Sequence, residues 1–259
     1  MNLVFQPQIA KEKPNRNSVC PFCDVNNLQN ILAQDDDRIW LVNKYRTIKE
    51  AWQTIIIESS QHDGDIINYT KIQNRKIFNF AIDKWQEVIN SNKYQSVLLF
   101  KNFGPRSGGS LAHPHMQIVG LNQINVLDQV SFQNVTGLTV WQREKVEVNI
   151  STEPLVGFLE LNILLDNRED LALFADAVQI VVQYLMDDYM DGRYDSYNLF
   201  FYQFDKTIAV KVMLRHITSP YFVGYRITQV NDDESLDKVK KSLAAKLNVI
   251  NYSSSFKHF

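Results

Sequence analysis

The chain has 259 residues, 45% of them hydrophobic, which is enough to bury a sizeable core in one large domain or two smaller ones. Its formal net charge of −2 provides no bulk positive field toward DNA, RNA or an anionic membrane, so a small anionic substrate must be held by local donors. No apolar run approaches the roughly 20 residues of a membrane helix, and residues 1–14 lack the charged-then-apolar layout of a secretory signal, so a cytoplasmic protein is expected.

In chain order, residues 1–19 are polar and read as an extended arm. The only cysteines, Cys20 and Cys23, follow it. A reducing compartment disfavours a disulfide between them and leaves metal binding and redox work open. Apolar and β-branched runs predict strands over 38–42 and 54–58. Helical spacing of Ile72, Ile77, Phe80, Ala81, Trp85 and Val88 predicts a helix over 66–90. A strand over 96–101, a glycine-rich turn over 102–110 and a strand over 116–121 complete the first half.

The order recurs as a strand over 158–165, a helix over 170–189, and strands over 197–203 and 208–214. The two helices start about a hundred residues apart, which marks a duplicated βαββ unit and an α+β protein, divided into residues 1–121 and 122–259. Between the halves, 138–141 and 146–150 read as a strand pair. A helix over 234–247 precedes a Ser-rich, frayed tail at 251–259.

The densest chemistry lies in residues 102–117. Gly104, Gly108 and Gly109 are three of the nine glycines. Such a loop lets backbone N–H groups approach an anion, with Ser110 adding a hydroxyl and Arg106 a charge. In an extended segment His113, His115 and Gln117 share one face beside that loop. Neutral imidazole attacks phosphate esters near pH 7 when an acceptor holds its other nitrogen, and the Gln117 amide offers a donor to phosphoryl oxygen.

Asn102, Gly104, Gly108, Ser110, His113, Pro114, His115 and Gln117 together resemble the histidine-triad superfamily, in particular its galactose-1-phosphate uridylyltransferase branch. The resemblance implies duplicated units forming a mainly antiparallel sheet flanked by helices. It makes His115 the nucleophile of a nucleotidyl-histidine intermediate and puts Gln117 and Ser110 on the transferred phosphoryl group. It puts Asn102 and Gly108 at the substrate loop and Asn43 of Val42-Asn43-Lys44-Tyr45 at the ribose or base, while Arg106, by its charge, and Gly109, by its place in the loop, join them as candidate substrate-binding residues. Lys11 and Lys13 are further sources of positive charge, though arm lysines are commonly just solvated.

The resemblance implies that structural zinc is held by Cys20, Cys23, His62 and His113. It implies partners comprising a nucleotide or nucleotide-sugar and a phosphorylated acceptor, and a homodimer. The match is thin over 122–205 and returns at Ser219–Tyr225. Only His216 stands where the second repeat of the transferases has several histidines, so a second metal is not expected and the second unit reads as catalytically silent. Gly109 replaces a common cysteine, and no hexose contacts can be placed, which puts galactose in doubt. Three functions remain open: a nucleotidyltransferase, a dinucleoside polyphosphate phosphorylase or hydrolase, and a catalytically silent nucleotide-binding protein.

Overall fold

The computed structural model of the chain describes residues 2–14 and 19–250. The tail expected to fray, 251–259, lies outside the described residues. The arm is not wholly extended. Proline at the first position starts a short helix, α1 (Pro7–Lys11), and Phe5 bridges to Ile48.

The first unit contains β1 (Ile31–Asp35), β2 (Arg38–Val42), β3 (Ala51–Ile57), α2 (Lys71–Asn90), β4 (Ser96–Phe103) and β5 (His115–Leu121). Then come β6 (Gly137–Arg143), β7 (Val146–Ser151), β8 (Gly157–Phe158), β9 (Glu160–Leu165), α3 (Leu171–Gln183), β10 (Tyr197–Phe204) and β11 (Thr207–Leu214). The chain closes with α4 (Pro220–Tyr225), β12 (Gln229–Val230) and α5 (Asp233–Leu247).

All the long strands join one 10-stranded sheet in the order β1-β2-β3-β5-β4-β10-β11-β9-β7-β6. Every pairing in it is antiparallel. Reading inward from either edge gives the same succession, a hairpin, the strand before the helix, then the two strands after it. The expected α+β fold, a duplicated βαββ unit in a mainly antiparallel sheet flanked by helices, is therefore the fold of this chain. The units meet at β4 and β10, where Phe100 pairs with Phe200.

Alternation along β3 divides the sheet into faces. Ile56 joins the main core, with Ile77, Phe78, Ala81, Ile82 and Trp85 of α2 and Phe174, Val178 and Val181 of α3. Ile55 and Ile57 point the other way, into a smaller cluster with Phe22, Ile39 and Leu41, against which Cys20, Leu28 and Leu111 pack.

Two helix boundaries differ from the sequence reading. Residues 66–69 form a turn rather than the first turn of α2, because Thr70 supplies the cap, its hydroxyl accepting from the Gln73 N–H at 3.2 Å. The second helix stops at Gln183, and a π turn over Tyr184–Asp188 leads to Met190 and Asp191 in left-handed conformation. The short edge strand β1 and helix α4 were not expected. Among the described residues no helix is long and apolar enough to cross a membrane.

Candidate active site and metal centre

The proline of His113-Pro114-His115 ends the glycine loop, and its carbonyl accepts from the Glu58 N–H at 3.2 Å, aligning the start of β5 with the end of β3. His115 lies opposite Ile57 and Gln117 opposite Ile55, so both side chains emerge on the face of the smaller cluster. His115 Nδ1 is 2.8 Å from the His113 carbonyl. A ring nitrogen facing a carbonyl carries the proton, which leaves Nε2 with the lone pair. Burial, only partly opposed by that hydrogen bond, pushes the imidazole pKa down to about 4 and keeps the ring neutral at pH 7.

The ring borders a cavity of about 420 Å³. Its walls include His115, Gln117, Gly108, Gly109, Ser110 and Asn43. The Asn43 side-chain oxygen, Oδ1, accepts from the Tyr45 N–H at 2.8 Å, so the side-chain N–H groups remain as its donors. Lys13 also lines the cavity, half-buried, with its ammonium pKa lowered by burial. Only its position, where the arm folds back over the sheet, separates it from a solvated arm lysine.

Two of the expected substrate residues are not in these walls. Arg106 turns to Asp195, with Nη1 at 2.6 Å from Oδ1, and its backbone N–H donates to Ser196 Oγ at 2.9 Å. Asn102 accepts from Asn198 Nδ2 at 2.6 Å. The same Asn198 amide donates to the Ser107 carbonyl at 3.1 Å, and Ser107 Oγ donates to the Gly104 carbonyl at 2.8 Å. These residues hold the loop in shape while Gly108 to Ser110 face the cavity. Ser107 and Asn198 were not singled out from sequence; a buried serine inside a polar loop carries no signal of its own.

Cys20, Cys23, His62 and His113 converge so closely that one ligand atom from each lies within 4.8 Å of the others. His113 Nδ1 is 3.7 Å from Cys20 Sγ and 3.5 Å from Cys23 Sγ, and His62 Nδ1 is 3.3 Å from Cys23 Sγ. His113 Nε2 meets the Ser59 carbonyl at 2.8 Å, so it carries the proton and Nδ1 is the nitrogen left free to face the two thiols. Two thiols and two imidazoles in this arrangement fit a tetrahedral zinc ion. Phe22, inside the Cys-x-x-Cys clip, stands edge-on to His113 and His115 at 5.8 and 5.4 Å, so the clip touches both rings.

Behind β3 and β5, Lys101 is buried among acids. Burial favours its neutral amine, but Glu58 and Asp65 outweigh that and hold its proton. The second unit has no counterpart of the glycine loop. Where residues 104–114 join β4 to β5, only Asp205 and Lys206 join β10 to β11.

The N-terminal domain of the domain-of-unknown-function family DUF4931 matches residues 5–124, and its C-terminal domain matches residues 127–247. A crystal structure of a DUF4931 family protein from Bacillus cereus ATCC 10987 is 40% identical, covers 83% of this chain and 98% of its own, and superposes with a TM-score of 0.76. A uridylyltransferase structure is 16% identical, with 93% and 94% of the two chains covered and a TM-score of 0.71. An ADP-glucose phosphorylase from Arabidopsis thaliana with bound ADP-glucose is 13% identical, with 96% and 95% covered and a TM-score of 0.67. These last two likenesses are of fold. A di-/tripeptide transporter of Lactobacillus helveticus is 35% identical over 101 residues, 39% of this chain; the match spans 20% of that curated relative.

Proposed function

The chain belongs to the DUF4931 family, and from that premise we propose that it is a nucleotidyltransferase whose nucleophile is His115. One observation carries the reading: His115 Nδ1 is held 2.8 Å from the His113 carbonyl, beside a cavity of about 420 Å³ walled by Gly108, Ser110 and Gln117. A neutral imidazole with its tautomer fixed, next to phosphate-sized backbone and amide donors, is equipped for in-line attack on phosphorus.

The substrate class is a nucleoside diphosphate conjugate such as a nucleotide-sugar. His115 Nε2 attacks the nucleoside-side phosphorus, a P–N bond forms, and the bridging P–O bond breaks. Its electron pair leaves with the second phosphate as a phosphomonoester. An acceptor phosphate oxygen then attacks the same phosphorus, the P–N bond breaks, and the imidazole regains its lone pair. Lys13, Ser110 and Gln117 stabilise charge on the phosphoryl oxygens, while the Asn43 amide N–H groups address the ribose or base. Cys20, Cys23, His62 and His113 would hold a structural zinc ion, which supplies rigidity rather than chemistry at phosphorus. The second unit completes the sheet and takes no part in bond making.

The test is covalent labelling. Wild type and His115→Ala are incubated with nucleoside-labelled UDP-sugars, ADP-glucose, ATP and dinucleoside polyphosphates. An acid-labile adduct on wild type alone is expected. Product analysis with a sugar phosphate, inorganic phosphate or water as second reactant assigns transfer, phosphorolysis or hydrolysis. Tight nucleotide binding with neither adduct nor turnover would instead identify a silent binding protein and overturn the proposal.

A further inference from the structure

On the opposite face of the sheet from the site, the turn after β3 meets β4 and β10 in an ionic cluster. The Lys101 ammonium lies 2.5 Å from Glu58 Oε1 and 3.1 Å from Asp65 Oδ1. The Tyr69 hydroxyl donates to Glu58 Oε2 at 3.3 Å, and the Tyr197 hydroxyl lies 2.8 Å from both Asp65 oxygens. All five residues are buried. Replacing such a cluster with apolar residues of similar volume is often neutral or stabilising, so stability alone does not explain it.

Its place in the chain does suggest a role. Glu58 and Asp65 flank the turn that follows β3. Between them lie Ser59, whose carbonyl meets His113 Nε2 at 2.8 Å, and His62, whose Nδ1 is 3.3 Å from Cys23 Sγ. Lys101 reaches from β4 and ties both ends of the turn together. Tyr197, from β10 of the second unit, secures the Asp65 end.

We propose that Lys101 and Tyr197 are positioning residues for the metal centre, acting through Glu58 and Asp65 to hold the turn that presents His62 and the Ser59 carbonyl. The inference rests on reading Cys20, Cys23, His62 and His113 as metal ligands. It gives the second unit a direct share in the site although it lacks reactive residues of its own.

The second unit also supplies an internal control. Lys211 Nζ lies 2.8 Å from Glu160 Oε2, and both residues are buried. The Glu160 carboxylate accepts from the Leu155, Val156 and Gly157 N–H groups rather than holding the 58–65 turn.

Zinc affinity of the full chain is measured by competition with a chromophoric chelator. The proteins are wild type, Tyr197→Phe, the double variant Lys101→Met with Glu58→Gln, and Lys211→Met. The double variant removes one charge of each sign and leaves Asp65 paired with the Tyr197 hydroxyl. Supporting residues behind metal ligands typically contribute ten- to hundredfold in affinity, and a loss of about that size is expected in the first two variants. Lys211→Met should keep wild-type affinity despite losing a buried ion pair. Unchanged affinity in Tyr197→Phe, or an equal loss in Lys211→Met, overturns the inference. Should the double variant not fold, Tyr197→Phe decides, since it keeps the ring in place. A wild-type chain that takes up no zinc overturns the underlying metal reading, a result distinct from unchanged affinity in the variants.

Discussion

Gly104 and Gly108 share a backbone angle, φ of 88°, but not a role. A Cβ on Gly104 would lie 2.1 Å from the Asp195 carbonyl oxygen and 2.4 Å from Ser196 Oγ, so the loop can dock on the second unit only if this residue has no side chain. A Cβ on Gly108 meets nothing within 4 Å and would stand at the cavity wall. Gly104→Ala should therefore destabilise by more than the ~1–2 kcal/mol of backbone strain alone, because Asp195 must also move. Gly108→Ala should cost only that strain and act mainly on ligand binding. Denaturant unfolding and nucleotide titration on the two variants separate the effects; equal stability losses would mean that Gly108 is packed rather than facing a ligand. Arg106 illustrates the same division within the loop. Its charge serves Asp195 at 2.6 Å, a pairing between units that no spacing in the sequence announces.

At the scale of elements, the site is made where β3, its following turn, the Cys-x-x-Cys clip and β5 come together. If a metal ties the clip to the turn, chelation should raise amide exchange at 19–24 and 59–64 while the β3 and β5 amides, buried in the ladder, stay protected. Exchange mass spectrometry with and without chelator checks this, and unaltered exchange in the clip and turn would exclude a tethering role. The elements legible in the sequence were those whose burial writes a pattern. Thr54 to Ile57 is β-branched because both faces of β3 are covered, and Ile77, Phe80, Ala81, Trp85 and Val88 of α2 recur because one stripe meets the core, whereas Ile72, read into the same stripe, is exposed. β1 left no pattern because it is an exposed edge, and Ile66 mimicked a helical position while lying in the turn before the Thr70 cap. The alternation of His113, His115 and Gln117 gave the centre of the candidate site. Lys101 was hidden because a lysine in a strand ordinarily reads as solvent-facing, and its carboxylate partners lie 43 and 36 positions earlier in the chain.

On the scale of the whole molecule, the two units share one core. The seam between β4 and β10 is an antiparallel ladder of five residue pairs, so neither unit has a finished sheet edge there. The helix layer is shared as well. Arg75 of α2 makes a bidentate pair with Asp176 of α3 at 2.8 and 2.6 Å, and Asn74 Nδ2 donates to the Ala175 carbonyl at 2.8 Å. Phe201 on β10 packs 6.1 Å from Phe78 and 6.3 Å from Trp85, both on the helix of the other unit. The family boundary near residue 125 thus divides two topologically matching halves of one sheet that share a core. Heat or denaturant should unfold the chain in one transition, with far-UV and near-UV signals coincident. Phe201→Ala should lower the stability of the whole chain by about 3–5 kcal/mol, since it opens a cavity between the units, and the transition should stay single. Two resolved transitions, with only the second unit weakened by Phe201→Ala, would mean that the units fold separately. The second unit could then be removed without loss of the first, whereas a shared core predicts that a chain cut at the boundary loses a stable first unit along with the Tyr197–Asp65 and Asn198–Asn102 contacts.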